Sequence, residues 1–280
     1  MTDPTDRTDP TDLSDDYPVS RERVDEFQLK GHTILRAVAA PHEVAAYRPA
    51  IEAAALQHKR ETRPIAERDT YGKAFLQVTN LWRVDESVRR FVHARRFAKI
   101  AAELLGVDGV RLYHDQALFK EPHGGRTPWH QDQYYWPFDT DQTITMWMPL
   151  VDVPIEIGSM TFASGSFRFG YLGSYAISDE SEAAFEKMIA EHALPIETHG
   201  AAAAGDATFH RGWTLHSAAS NPTDVMRSVM TVIYFADGMR VAEPQTPGQQ
   251  FDLHIWLPGL KPGDIAASPI NPLLYRSTGP

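Results

Sequence analysis

Short runs of β-branched and aromatic residues, separated by Gly, Pro and Asp, dominate the chain after about residue 108. The expected strands are Val110–Lys120, Thr143–Leu150, Met160–Phe162, Ala207–Phe209 and Val229–Phe235. Runs of this length and composition are typical of strands joined by turns. Residues 178–192 differ, because they have a helical pattern with Ser178 as a plausible N-cap. The second half of the chain therefore predicts a mostly antiparallel sandwich or barrel with one helical insertion.

The first hundred residues indicate helices that pack on one side of this β half. We expect a helix over Arg21–Leu29 that Gly31 ends, then a strand at Thr33–Arg36, and a second helix from Pro41 to about Leu56. Residues 57–80 are predicted to be irregular. The apolar stripe of residues 87–105 predicts one further helix, which Gly106 ends. The expected fold class is mainly β with flanking helices.

The chain of 280 residues is expected to form one domain over residues 19–280, with its β core at about 108–240. Residues 1–18 are expected to be a disordered acidic tail. Six aspartates lie within the first 16 residues, and a six-residue segment beginning Thr-Asp-Pro is nearly duplicated there. The proline-rich segment 258–280 is expected to be a loosely packed tail.

Composition excludes several classes of function. The chain has no cysteine, so disulfides, zinc knuckles, iron–sulfur clusters and a thiol nucleophile are excluded, and a metal would have to be bound by His and carboxylate. The formal net charge is −10 and Lys and Arg form no cluster, so no nucleic-acid partner is expected. No apolar run approaches the roughly 18–20 residues that a membrane span needs. We expect a cytoplasmic protein that binds a small molecule, and the oligomeric state stays open.

A pair of metal-binding side chains stands two residues apart at His130 and Asp132. In an extended segment residues i and i+2 project to the same face, so this pair could bind one ion. A second histidine would complete a set of two imidazoles and one carboxylate, which leaves three metal positions open for substrates. His216 and His210 are both candidates for that place.

Arg227 favours His216 over His210. It lies eleven residues after His216, at the start of an apolar strand and beyond a turn near Asn221. A hairpin of that length would bring the two side chains to the same cavity, where a planar guanidinium can bind a carboxylate with two hydrogen bonds. The residue eleven positions after His210 is Asn221, which lacks this capacity.

These residues resemble the phytanoyl-CoA dioxygenase family over about residues 24–240. The similarity lies in the entry segment Phe27–Arg36, in Pro128–Asp132 and Trp147, and in Gly205-Asp206, His216 and Arg227. The resemblance implies a double-stranded β-helix core, also called a jelly-roll or cupin-like fold. It also implies Fe(II) as the metal, with 2-oxoglutarate as co-substrate and O₂ as the oxidant.

The resemblance also assigns roles to particular side chains. His130, Asp132 and His216 would bind the iron, and Arg227 would bind the distal carboxylate of 2-oxoglutarate. Trp147 would form a wall of the co-substrate pocket. The two remaining candidates, which would offer polar contacts near the keto-acid end, are Gln116 and Gln77.

The expected activity is oxidation, usually hydroxylation, of an unactivated C–H bond in a small and partly apolar organic substrate, with release of succinate and CO₂. Segment 249–256 is a candidate lid. The side chains expected to contact substrate, unless they belong to the core, are Gln133, Tyr135, Trp136, Phe138 and Trp213. Two alternatives remain, a zinc or manganese hydrolase on the same ligands and a catalytically silent jelly-roll that only binds a ligand.

Overall fold

A computed structural model describes residues 12–277. It contains seven α-helices, several of them with caps that the sequence encodes. The Ser20 side chain accepts a hydrogen bond from the Arg23 amide at the start of the first helix, and Gly31 ends that helix with a φ of 84°. The helices within the described residues are α1 (Arg21–Lys30), α2 (Pro41–His58), α3 (Thr70–Ala74), α4 (Glu86–Val92), α5 (Arg95–Leu105), α6 (Asp179–Glu191) and α7 (Pro247–Trp256).

Eleven strands in the described part form two antiparallel sheets. They are β1 (His32–Leu35), β2 (Leu76–Thr79), β3 (Gly109–Phe119), β4 (Thr127–His130), β5 (Thr143–Pro149), β6 (Met160–Ala163), β7 (Ile196–Thr198), β8 (Ala207–Arg211), β9 (His216–Ala218), β10 (Val229–Ala236) and β11 (Leu273–Arg276). The larger sheet has the order β1-β8-β5-β10-β3-β11, with β2 also paired to β3, and the smaller one has the order β4-β9-β6-β7. The expected mainly β fold with flanking helices is confirmed, and the sheets do not close into a barrel.

The larger sheet has one face toward the helices and the other toward a cavity, because alternate residues of each strand point to opposite faces. On β10, Met230 and Val232 belong to the core shared with the helices, whereas Thr231 and Ile233 line the cavity. Strand β5 alternates in the same way. On β3 an irregularity in the pairing with β10, at Tyr113, shifts the alternation by one residue. The larger sheet thus separates the helical core from the cavity.

Two predictions about the helical half are wrong. The single helix expected over residues 87–105 is two helices, since the chain leaves α4 at His93 and enters α5 after Ala94. Residues 57–80 are not irregular throughout, because they contain α3 and β2. Strand β2 pairs with β3 in antiparallel register, a long-range contact that local sequence does not reveal. The helical insertion was predicted correctly, and α6 begins after Ser178, whose side chain caps it.

Parts of both predicted tails, within residues 12–18 and 258–277, pack against the rest of the structure. Leu13 is only 4% exposed and packs in the helical core, and the Tyr17 hydroxyl donates to the Arg36 carbonyl at 2.9 Å. The predicted disorder of residues 1–11 lies outside the described residues. The expectation of a loose C-terminal tail is wrong up to residue 277. Strand β11 pairs with β3, and the buried Asn271 amide donates to the carbonyls of Leu112 and Tyr113.

Within residues 12–277, the helices are too short or too polar to cross a lipid bilayer. The assignment of a single domain, the limits of its β core and the cytoplasmic location stay predictions.

Candidate active site

The two histidines of the predicted triad lie opposite each other on neighbouring strands. His130 ends β4 and His216 begins β9, and the two residues are register partners with ring centroids 4.0 Å apart. Asp132 follows β4 in a short turn. Its Oδ1 lies 3.6 Å from Nε2 of His130 and 3.6 Å from Nε2 of His216. One ligand atom from each of the three residues lies within 4.8 Å of the other two, so a single ion could contact all three.

Backbone carbonyls orient both imidazoles toward this point. Nδ1 of His130 donates to the Pro128 carbonyl at 2.8 Å, and Nδ1 of His216 donates to the Thr214 carbonyl at 2.9 Å. A proton on Nδ1 leaves the lone pair of Nε2 free to bind a metal. The same local contact, to the carbonyl two residues earlier, thus prepares both rings for coordination.

His210 supports the carboxylate from the other side. Oδ2 of Asp132 accepts a hydrogen bond from Nε2 of His210 at 3.1 Å and one from the Thr145 hydroxyl at 2.9 Å. Oδ1 therefore faces the two other imidazoles. This position suits His210 for holding Asp132, and it leaves His216 as the third member of the triad.

The electrostatics of Asp132 and His216 favour the protonation states that a metal requires. Burial on its own would raise the pKa of Asp132, but the adjacent His216, His130 and His210 together lower it well below its usual value. Burial, followed by the proximity of His130 and His210, lowers the pKa of His216 well below its usual value. An ionised carboxylate and neutral imidazoles are the forms that coordinate iron. The donor set therefore fits a divalent metal of the Fe(II) type.

Arg227 lies two residues before β10 and is only 2% exposed. Its Nη1 donates to the Gly158 carbonyl at 2.6 Å, and its guanidinium carbon lies 5.3 Å from the ring centroid of Trp147. Its Nε has no hydrogen-bond partner, and no carboxylate of residues 12–277 pairs with the guanidinium. Burial lowers the pKa of Arg227 to about 9. A buried cation with unused donors has the features of a binding site for a ligand carboxylate.

A cavity of about 480 Å³ contains the triad and Arg227. Five more predicted side chains line it, three of them from the co-substrate set and two from the substrate set: Trp147, Gln116, Gln77, Tyr135 and Trp136. Gln77 is already engaged, because its Oε1 accepts a hydrogen bond from the Tyr71 hydroxyl at 2.6 Å.

Three of the side chains that were expected to contact substrate lie outside this cavity. Their assignment as substrate contacts is therefore corrected. The Gln133 amide donates to the Thr140 carbonyl and accepts from the Thr143 hydroxyl, both at 2.7 Å, so it holds a turn. Phe138 packs in a second core cluster with Phe235. Trp213 is half-buried with its ring near that of Tyr171, and it is not among the residues that line the cavity.

The sequence reasoning missed several side chains that line the cavity. Tyr71 lies in α3 and Phe75 directly follows that helix, whereas His114 lies in β3. On α7, which coincides with the candidate lid, Asp252 and Trp256 line the cavity. Strand alternation could have indicated His114, which lies two residues before Gln116 on the same face. The α3 and α7 residues had no local signal.

Comparison with known structures finds proteins of similar overall fold. The epimerase SnoN from nogalamycin biosynthesis, solved in complex with Fe3+, alpha ketoglutarate and nogalamycin RO, is 28% identical with a TM-score of 0.74, over 90% of this chain and 97% of SnoN. The carbocyclase SnoK from the same biosynthesis is 25% identical with a TM-score of 0.74, over 91% and 96% of the two chains. These likenesses confirm the expected jelly-roll core.

A curated relative and a family model add sequence-level support. A probable alpha-ketoglutarate-dependent hypophosphite dioxygenase of Stutzerimonas stutzeri is 24% identical over 156 residues, and the aligned part spans 54% of the length of each protein. The model of the phytanoyl-CoA dioxygenase family matches residues 27–229, which is more than half of the chain. The chain therefore belongs to the phytanoyl-CoA dioxygenase family of iron- and 2-oxoglutarate-dependent oxygenases.

Proposed function

We propose that this non-haem iron dioxygenase oxidises a C–H bond of a small, ring-bearing organic substrate while it converts 2-oxoglutarate to succinate and CO₂. His130, Asp132 and His216 are assigned as the iron ligands. The observation that carries the proposal is the convergence of two Nε2 atoms on one carboxylate oxygen, 3.6 Å from each, in the same cavity as an unpaired buried guanidinium. Bound iron supplies the redox chemistry with O₂, and the protein supplies positions and excludes water.

Arg227 is assigned to the distal carboxylate of 2-oxoglutarate. Its position supports this, since the guanidinium is buried, has free donors and stacks near Trp147 at the wall of the cavity. An anion at this point would pair with the buried charge and fix one end of the co-substrate. Gln116 and Gln77 remain proposed polar contacts, and both line the cavity.

The walls of the cavity support a substrate with rings or an apolar body. Tyr135, Trp136, Phe251 and Trp256 line the part that α7 covers. Two structures similar to this chain come from nogalamycin biosynthesis, and one of them contains nogalamycin RO. A small natural-product scaffold is therefore the proposed substrate class, and nothing in the site suggests a nucleic acid.

The two alternatives explain fewer features. A zinc or manganese hydrolase could use the same three ligands, but it would leave the buried Arg227 without a role. A silent binding protein would not need both imidazoles to be held with Nε2 toward the carboxylate. Family membership favours the oxygenase over both.

The test is to add 2-oxoglutarate to the purified protein with Fe(II) in the absence of O₂, and then to admit O₂ with candidate scaffolds. We expect a visible charge-transfer band in the first step and substrate-stimulated succinate release in the second. The absence of both, or turnover that needs neither O₂ nor 2-oxoglutarate, would overturn the proposed function.

The hydrogen bond from Thr145 to Asp132 gives a prediction for metal affinity. Thr145→Val keeps the shape of the side chain but removes the hydroxyl that orients Oδ2. We expect iron affinity to fall by roughly 10- to 100-fold, as is typical when a supporting hydrogen bond to a ligand is lost. Thr143→Val is the control on the same strand, because that hydroxyl bonds Gln133 instead. Equal iron affinities in the two variants would contradict the role of Thr145.

A further inference from the structure

We propose that the part of the cavity beneath α7 is a subsite for a protonated amine of the substrate, with the Asp252 carboxylate as its counter-ion. The proposal deepens the proposed function and rests on it, because it names a chemical group of the substrate that the same cavity would accept.

Helix α7 presents Asp252 to the cavity. The helix begins at Pro247 after Thr246, whose side chain accepts a hydrogen bond from the Gln249 amide. Gly248, Asp252 and Trp256 are spaced by four residues, so they lie on one face of the helix, and all three line the cavity. Asp252 is 6% exposed, and its Oδ2 accepts a hydrogen bond from the Tyr113 hydroxyl at 2.9 Å.

Asp252 differs from the other buried carboxylates of residues 12–277. Three of them pair with an arginine, namely Glu43 with Arg96, Glu182 with Arg126 and Asp206 with Arg36. Asp115 accepts hydrogen bonds from two backbone amides. Asp252 has contacts with Tyr113 and Trp256 and no cation, and its burial raises its pKa to about 7. Such a carboxylate has no cationic partner in the protein and faces a ligand cavity. A cationic group of the ligand would therefore stabilise it.

The surroundings of Asp252 favour an ammonium group over a neutral hydroxyl. The rings of Trp256, Tyr135 and Trp136 line the same end of the cavity, and aromatic faces attract cations. His114 lies against Trp256 and Tyr113, with ring centroids 5.0 and 4.8 Å away, and its buried Nδ1 has no partner. Burial lowers the pKa of His114 to about 4, so this ring adds no positive charge beside Asp252.

A pair of probes that differ in charge tests the subsite. 2-Phenylethylamine and 2-phenylethanol have nearly the same size, both donate hydrogen bonds, and only the amine is cationic. Their affinities for the iron- and 2-oxoglutarate-loaded protein, without O₂ and at mildly alkaline pH, can be followed by tryptophan fluorescence. We expect the wild-type protein to bind the amine at least about tenfold more tightly than the alcohol.

Asp252→Asn should remove most of this preference, with a loss of about tenfold in affinity for the amine and little change for the alcohol. Glu243→Gln, which removes an exposed charge just before α7, is the matched control and should keep the preference. The charge-transfer band with 2-oxoglutarate should be unchanged in both variants, so its loss would indicate failure of the co-substrate site rather than of the subsite. A wild-type protein without preference for the amine, including one that does not bind it up to its solubility limit, would overturn the proposal. A preference that persists in Asp252→Asn would also overturn it.

Discussion

Replacing Asp132 by Ala is expected to abolish succinate release and to leave the purified protein with little iron. The substitution removes the carboxylate of the triad formed by His130, Asp132 and His216. Oδ1 of that carboxylate lies 3.6 Å from Nε2 of each histidine. The substitution also leaves the Thr145 hydroxyl and His210 without their acceptor. We expect a fall in turnover of at least about 1,000-fold, equivalent to roughly 4 kcal/mol. Iron content by elemental analysis and succinate release are the two measurements.

Asp141→Ala is the matched control for this prediction. Asp141 is an exposed aspartate just before β5, the strand that carries Thr145, and it is not among the residues that line the cavity. It should keep wild-type iron content and activity. An Asp132→Ala protein that stays folded with wild-type iron and turnover would show that the metal is bound elsewhere.

Replacing Arg227 by Ala is expected to weaken 2-oxoglutarate binding while the protein retains its iron. Removing one partner of a buried, hydrogen-bonded pair of guanidinium and carboxylate costs about 3–5 kcal/mol. That loss corresponds to an increase of roughly 100-fold or more in the dissociation constant. Arg227→Lys should be intermediate, because it keeps a charge but loses the planar fork. Titration of the charge-transfer band under anaerobic conditions measures the affinity.

A ligand without the distal carboxylate provides the sharper control. 2-Oxopentanoate has the keto-acid end of 2-oxoglutarate but a methyl group at the other end. If Arg227 contacts the distal carboxylate, the Arg227→Ala substitution should hardly change the affinity for 2-oxopentanoate. Equal losses for the two ligands would mean that Arg227 acts on the keto-acid end or on the fold, and the assignment would be wrong.

Local spacing predicted that four side chains of the candidate site would lie together. The His130–Asp132 pair depends on the two-residue period of extended chain, and the link between His216 and Arg227 depends on the length of one hairpin. Such relations span few residues, so the sequence expresses them directly. The structure brings the four side chains to one cavity, with His130 and His216 opposite each other. Spacing to Arg227 favoured His216 over His210 but did not assign a role to His210. In the structure Nε2 of His210 donates a hydrogen bond to Oδ2 of Asp132, which shows that His210 supports the carboxylate.

The aromatic segment after the triad shows the limit of that reasoning. Four of residues 133–138 are aromatic, yet Tyr135 and Trp136 line the cavity whereas Phe138 and the amide of Gln133 do not. The segment is a turn without a regular period, so neither alternation nor helical spacing assigns its faces. Hydrogen bonds to Thr140 and Thr143 decide the orientation of Gln133. Those partners become available only when the turn closes on β5.

The sequence by itself indicated a mainly β fold and the grouping of His130, Asp132, His216 and Arg227 in one candidate site, because these depend on residue type and on short distances along the chain. Only the tertiary structure decided which remote segments complete the cavity. Helix α3, strand β2 and helix α7 reach the site through long-range packing, and with them come Tyr71, Asp252 and Trp256. The gain in free energy from such packing is shared among many contacts. No local pattern along the chain therefore predicts where these segments pack.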